Sequence, residues 1–182
     1  MKLTKTAIDG LVILEPKIFK DSRGYFFEPY NKFTFDKYIG ITNFVQDNES
    51  KSERGVLRGL HFQKPPYAQA KLVRCIDGEV IDIALDLRKN SSTYGHYHKI
   101  LLSSKNKKQF FIPRGFAHAF LVISSYAIFS YKVDNIYAPN YDSGVIWNDS
   151  DLAIDWGINE SELIISEKDK NLSSFSDINS PF

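Results

Sequence analysis

Turn signals interrupt this chain so often that only short segments remain between them. Asp9-Gly10, Ser22-Arg23-Gly24, Lys64-Pro65-Pro66, Asp77-Gly78, Lys89-Asn90-Ser91-Ser92, Lys105-Asn106-Lys107-Lys108 and Pro113-Arg114-Gly115 all combine residues that favour chain reversal. The runs between them are rich in Val, Ile, Phe, Tyr and Leu, a composition that fits strands. The pattern predicts strands over Val12–Leu14, Gly24–Glu28, Phe44–Asn48, Gly55–His61, Lys71–Ile76, Glu79–Leu87, His98–Leu102, Gln109–Ile112, Ala117–Ile123 and Ala127–Val133. Asp77-Gly78 between two β-rich runs predicts a hairpin with a two-residue turn. Helix signals are weak, and Asn31–Ile39, with Phe35 and Tyr38 three apart, suggests one short helix. Many short strands at close spacing predict an all-β sandwich or barrel.

At 182 residues and 43% hydrophobic, the chain is long and apolar enough for one globular domain spanning residues 1–182. A net charge of +1 supplies no global attraction to nucleic acid or to acidic membranes. Neither is therefore expected as a partner, and any anionic ligand must be held by a local group of cations. Near the N-terminus the apolar run Leu11–Leu14 is too short for a signal-peptide core or a membrane span. Cys75 is the one cysteine, so no internal disulfide can form, and a cytoplasmic location is expected.

Chemistry concentrates in Gly55–Gln63, GVLRGLHFQ, where Arg58, His61 and Gln63 interrupt an apolar, glycine-broken strand. Arg58 is a permanent cation suited to phosphate. His61 takes and releases protons near neutral pH. Alternation along the other strands adds further polar groups to apolar faces. Gln46 and Asn48 share a face, as do Lys71, Val73 and Cys75, then His118, Phe120 and Val122, then Phe129, Tyr131 and Val133. Either these polar groups meet solvent, or they line a cavity in which a few of them orient a ligand. Strict alternation puts Arg58 and His61 on opposite faces. A bulge at Gly59 would bring both to one cavity.

His61 is the candidate general base. Its other nitrogen calls for a carboxylate, and Asp82, Asp86 and Asp169 are all candidates that spacing cannot separate. Tyr131 is a candidate acid. Lys71 and His118 are candidates for stabilising a developing enolate oxygen. His96 and His98 form an HxH pair, but no third ligand follows, so a solvated strand is the better reading than a metal site. There is no dinucleotide or Walker fingerprint and no GxSxG elbow, so those function classes are the weaker readings. Cys75, in an apolar strand, reads as packing.

The segments DSRGYFFE (21–28), FVQDNES (44–50), GVLRGLHFQKPPYAQAKLVR (55–74), DIALDLR (82–88), FFIPRGFAHAF (110–120), YKVDNIYAP (131–139), GVIWND (144–149) and ISEKD (165–169) carry a resemblance. With them the chain resembles the dTDP-4-dehydrorhamnose 3,5-epimerase family. The resemblance implies an all-β, cupin-type jelly-roll barrel with short peripheral helices, working without metal or other cofactor as a homodimer. It implies a dTDP-4-keto-6-deoxy sugar as substrate, epimerised at C3 and C5 on the route to dTDP-L-rhamnose. A relative acting at one carbon, or on another nucleotide-linked 4-keto sugar, would carry the same motifs. By resemblance His61 is the proton acceptor paired with Asp169, Tyr131 the donor, and Lys71 the group near the C4 oxygen. Arg23, Glu28, Gln46, Asn48, Arg58 and His118 match nucleotide-sugar contacts, and Tyr137 matches the aromatic stacked on thymine. Asp142 and Lys168 fall at further binding positions, Asp142 where the pattern often has glutamate. Arg23, Phe26 and Glu28 lie on a segment that, in the family, enters the neighbouring subunit's site. The polar, serine-rich tail after Lys170 is expected to be peripheral.

Overall fold

Pairing between strands far apart in the chain builds two facing sheets. The computed structural model describes residues 1–182. In chain order its elements are β1 (Lys2–Lys5), β2 (Val12–Glu15), β3 (Phe19–Asp21), β4 (Gly24–Phe26), α1 (Lys32–Tyr38), β5 (Gln46–Glu53), β6 (Val56–Gln63), β7 (Lys71–Asp77), β8 (Glu79–Asp86), β9 (Tyr97–Ser103), β10 (Gln109–Ile112), β11 (Phe116–Val122), β12 (Tyr126–Val133), β13 (Asp142–Gly144), β14 (Ile164–Ile165) and α2 (Glu167–Lys170). One sheet has the order β1-β2-β10-β7-β12-β5. The other runs β13-β6-β11-β8-β9, with β14 added in parallel to β6. β3 and β4 form a separate hairpin. From β5 to β12 the chain changes sheet at every connection except β8 to β9. This is jelly-roll wrapping. The sheets do not close into one hydrogen-bonded cylinder.

The wrapping overturns the predicted Asp77-Gly78 hairpin. β7 bonds to β10 and β12, whereas β8 bonds to β11 and β9. Asp77-Gly78 is instead a corner that carries the chain between sheets. Gly78 has φ +79°, and a Cβ there would lie 2.1 Å from the Tyr126 carbonyl oxygen. The local turn chemistry is the same for a hairpin and a corner. What separates them is which edges are already occupied by other strands.

Apolar side chains from both sheets fill the space between them. Val73, Phe110 and Phe129 of the first sheet cluster with Val80, Ala84, Phe120 and Val122 of the second. The Phe120 and Phe129 rings stack at 4.2 Å between centroids. Full burial of each such side chain contributes about 1.5–3 kcal/mol. The outer face of the second sheet is also apolar, with Leu57, Ile83, Leu85, Ala117 and Leu121 packed under Leu152 and Trp156. The tail after Lys170 is not peripheral, because Phe175, Ile178 and Phe182 pack on this outer layer. Its serines mask three apolar residues spaced to reach one surface. Helix α1 covers part of the first sheet, burying Phe35 against Leu14, Leu72 and Phe111. Its N-terminus is capped by Asn31, whose side chain accepts from the Thr34 N–H at 3.1 Å. No helix is long and apolar enough to cross a membrane.

Candidate active site

The site begins with an irregularity in β6. Across the β6–β11 ladder, His118 faces His61 and Phe120 faces Arg58, so β6 carries one extra residue between the two pairs. Gly59 lies in that bulge with φ +120°. A Cβ on it would lie 2.5 Å from the His118 carbonyl oxygen and 2.6 Å from the Ala119 Cβ, so only glycine fits. The extra residue resets the alternation, and Arg58 and His61 line the same cavity.

That cavity, of about 660 Å³, is also lined by Asn48, Lys71, His118, Tyr131, Lys168 and Asp169. A second hollow of about 290 Å³ adds Gln46, Gln63, Gln69, Tyr137 and Asp142. Asn48, His61, Lys71, Tyr131 and Lys168 line both, so the two hollows meet on these residues. His61 and His118 stand on the second sheet, Lys71 and Tyr131 on the first.

The three carboxylates that spacing left open now separate. Asp169 Oδ1 lies 2.7 Å from His61 Nε2, and its Oδ2 accepts the Gly59 N–H at 3.2 Å. Asp82 Oδ2 lies 2.9 Å from His118 Nε2. Asp86 accepts from Arg88, Ser91 and Thr93 and touches neither histidine. Asp169 is delivered by two short elements. β14 pairs with Val56 and Leu57 of β6, which sets α2 against the bulge. Ser166 then caps α2 by accepting from the Asp169 N–H at 3.1 Å.

Burial alone would raise the Asp169 carboxyl, but hydrogen bonds from His61 and Gly59 hold it below the usual carboxylate range. An ionised Asp169 can only accept, so His61 Nε2 carries a hydrogen, and in the neutral imidazole the lone pair is then on Nδ1. The buried His118 imidazole is held toward neutrality by desolvation, against the pull of Asp82. Desolvation likewise pushes the Lys71 ammonium down to about 8, with Asp82 and Asp142 opposing. Burial raises the Tyr131 phenol above its ordinary value, so it keeps its proton at neutral pH. An imidazole and a protonated phenol thus occupy facing walls, with a cation in the same cavity.

Around this centre, Arg58 is steadied by Ser52 Oγ, at 3.2 Å from Nε and 3.1 Å from Nη2. Gln46 Nε2 donates to Asn48 Oδ1 at 2.8 Å. Asp142 accepts from the Tyr137 hydroxyl at 3.2 Å and from Lys168, so the shorter carboxylate still ties both together. Arg23, Phe26 and Glu28 line neither hollow. Arg23 pairs with Asp21 at 2.6 Å on an exposed hairpin, and Phe26 is 67% exposed. Cys75 is buried, its thiol pushed up to about 11 by desolvation. The His98 ring lies against Phe110 at 5.6 Å, and no three His, Cys, Asp or Glu side chains gather as a ligand set. Several lining residues escaped the sequence reading: Glu49, Ser50, Val56, Ile164, Ile165 and Ser166. A two-residue strand such as β14 leaves no periodicity to read. Its position beside Asp169 was the available signal.

A jelly roll whose open cavity holds an imidazole–carboxylate pair opposite a protonated phenol defines an acid–base protein of the cupin type. Comparison with known sequences and structures narrows the class. The family model for dTDP-4-dehydrorhamnose 3,5-epimerase matches residues 5–177. The dTDP-4-dehydrorhamnose 3,5-epimerase of Methanothermobacter thermautotrophicus is 52% identical over 171 residues, covering 93% of this chain and 92% of that protein. The crystal structure of the Elizabethkingia anophelis enzyme of that name superposes with a TM-score of 0.94 at 54% identity, covering 98% of both chains. A dTDP-6-deoxy-D-glucose-3,5-epimerase from Legionella pneumophila, in complex with dTDP-4-keto-L-rhamnose, gives a TM-score of 0.94 at 43% identity. It covers 98% of this chain and 94% of its own. The chain belongs to the dTDP-4-dehydrorhamnose 3,5-epimerase family.

Proposed function

We propose that the chain converts dTDP-4-dehydro-6-deoxy-D-glucose to dTDP-4-dehydro-L-rhamnose, inverting C3 and C5. The observation that carries this reading is the placement of His61 and Tyr131 on facing sheets across one cavity. A 4-keto sugar has acidic C–H bonds at both carbons flanking the carbonyl. His61 Nδ1 takes a proton from one face, and the electron pair of that C–H bond delocalises onto the C4 oxygen. Lys71 stabilises the resulting enolate, and His118 supports it from the facing sheet. Tyr131 returns a proton to carbon from the opposite face, at C5, which inverts the centre. Repetition at C3 completes the reaction, and exchange with solvent restores the proton inventory. Redox state is unchanged throughout, so no hydride carrier is required.

The remaining residues hold the nucleotide. Arg58 offsets diphosphate charge through its free guanidinium N–H groups. Tyr137 stacks on the base, with Gln46, Asn48, Asp142 and Lys168 lining the approach. Arg23, Phe26 and Glu28 serve the site of a partner subunit in a homodimer. Their exposure, and their absence from the lining of the chain's own hollows, supports this.

Turnover of the 4-keto substrate in D2O, followed by proton NMR, tests the reaction. Deuterium is expected at both C3 and C5. Incorporation at one carbon alone would make the chain a single-carbon epimerase. Incorporation at neither would defeat the reading.

A further inference from the structure

Gln63 belongs to the most chemically loaded segment of the sequence, yet the mechanism leaves it without a role. It is 4% exposed. Its Nε2 donates to the Tyr67 carbonyl at 2.7 Å and to the Ile136 carbonyl at 3.0 Å. Its Oε1 accepts the Ala138 N–H at 2.6 Å. The amide orientation is forced, because two carbonyls require the nitrogen and one N–H requires the oxygen. Both amide hydrogens are thereby used, which leaves none for a ligand.

The two backbone acceptor and donor sites at Ile136 and Ala138 bracket Tyr137. Further polar contacts join the same two loops. Gln69 Nε2 donates to the Asn135 carbonyl at 2.8 Å, and Asn135 Nδ2 donates to the Pro66 carbonyl at 3.0 Å. The Tyr67 and Tyr141 rings meet at 4.6 Å. Tyr137 itself is 53% exposed, so packing alone does not hold it. Its hydroxyl is tethered by Asp142, and the backbone on either side of it by Gln63.

We infer that Gln63 is a positioning residue for nucleoside recognition, clamping the 136–138 backbone so that the Tyr137 ring is pre-set for a planar base. The inference rests on the proposed stacking role of Tyr137. A pre-set ring binds without the ordering cost that a mobile loop would incur. Base stacking on an aromatic is worth enough to change affinity about tenfold or more. β6 therefore carries His61 for the sugar and, two residues on, the brace for the nucleoside.

Gln63→Met keeps the side-chain volume and removes all three bonds. Gln63→Glu keeps the acceptor for Ala138 and turns an oxygen toward two carbonyls. Both are to be compared with Tyr137→Ala and with the double variant, using dTDP and inorganic pyrophosphate as competitive probes. About tenfold weaker dTDP binding is expected for either Gln63 variant, with pyrophosphate binding unchanged and KM raised more than kcat falls. In the Tyr137→Ala background the Gln63 substitution is expected to add little. A general structural role would weaken both probes together, or persist in full without Tyr137, and either result overturns the inference. Normal dTDP affinity in the Gln63 variants, alongside weakened Tyr137→Ala, overturns it while leaving the stacking role intact. Unchanged dTDP affinity in Tyr137→Ala removes the stacking role and the inference together.

Discussion

His61 Nε2 lies 2.7 Å from Oδ1 of Asp169, a residue 108 positions further along the chain. The pair orients one nitrogen and frees the other, and Asp169 is simultaneously tied to the bulge at Gly59. Base geometry and strand irregularity are thus parts of one arrangement.

The first prediction separates base from acid. His61→Ala is expected to lower turnover and solvent deuterium exchange together, by ~10²–10⁴-fold. Tyr131→Phe is expected to keep proton removal, and hence exchange at C3, while inversion at C5 fails. Proton NMR of both variants in D2O reads the difference. Equal loss of all exchange in Tyr131→Phe would refute the assignment of the donor.

A second prediction concerns pH. In its proposed role Lys71 would stabilise an enolate only as an ammonium, and its folded value is depressed to about 8. Activity should therefore fall as pH rises through about 8. Tyr131 cannot supply that limb, since burial moves its phenol upward from the ordinary value. Lys71→Met should lower kcat and abolish the limb near pH 8. A pH profile of kcat for the two proteins checks this, and an unchanged alkaline limb in the variant would reassign it.

Mixed dimers test the hairpin. On the proposed homodimer, the Arg23→Ala and His61→Ala proteins should both be impaired. If Arg23 serves the neighbouring site, a heterodimer of the two contains one intact site. Activity should then reappear on mixing under conditions that exchange subunits. No recovery despite verified heterodimer formation would place Arg23 outside the partner's cavity.

Stability in acid should depend on Asp86. Burial would raise this carboxyl, but bonds from Arg88, Ser91 and Thr93 outweigh it and hold it at about 2. A folded value depressed below the unfolded one contributes stability that is complete above the unfolded value and lost as pH falls through the folded one. From the ordinary aspartate value of 3.8 that contribution is roughly 2 kcal/mol, present at neutral pH and vanishing between about pH 4 and pH 2. Urea unfolding of Asp86→Asn against the parent chain should show a deficit at pH 7 that narrows toward pH 3. A deficit independent of pH would mean that the charge does not contribute.

Much of this arrangement could be read before any coordinates. The ten predicted strands all overlap observed ones, and Asn31–Ile39 coincides with α1 and its flanking caps. Gly59 marked a candidate bulge because a glycine inside an apolar strand invites one. The hairpin at Asp77-Gly78 failed for a reason outside its own residues. A turn dipeptide specifies reversal, but β7 and β8 were each claimed by other neighbours. β3, β13 and β14 were too short for a periodic signal, and the tail's three apolar anchors were diluted by serine.

Backbone preference and side-chain chemistry are properties of residues, so the chain alone determined where it turns, where it extends and which groups can move a proton. Partnership is a property of the assembled sheets. Residue chemistry and spacing left open which carboxylate meets His61, and only the family resemblance pointed to Asp169; physically that pairing, and the wall that carries Tyr131, arise once both apolar faces are buried at the same time. That requirement couples segments separated by most of the chain, and no local pattern encodes it.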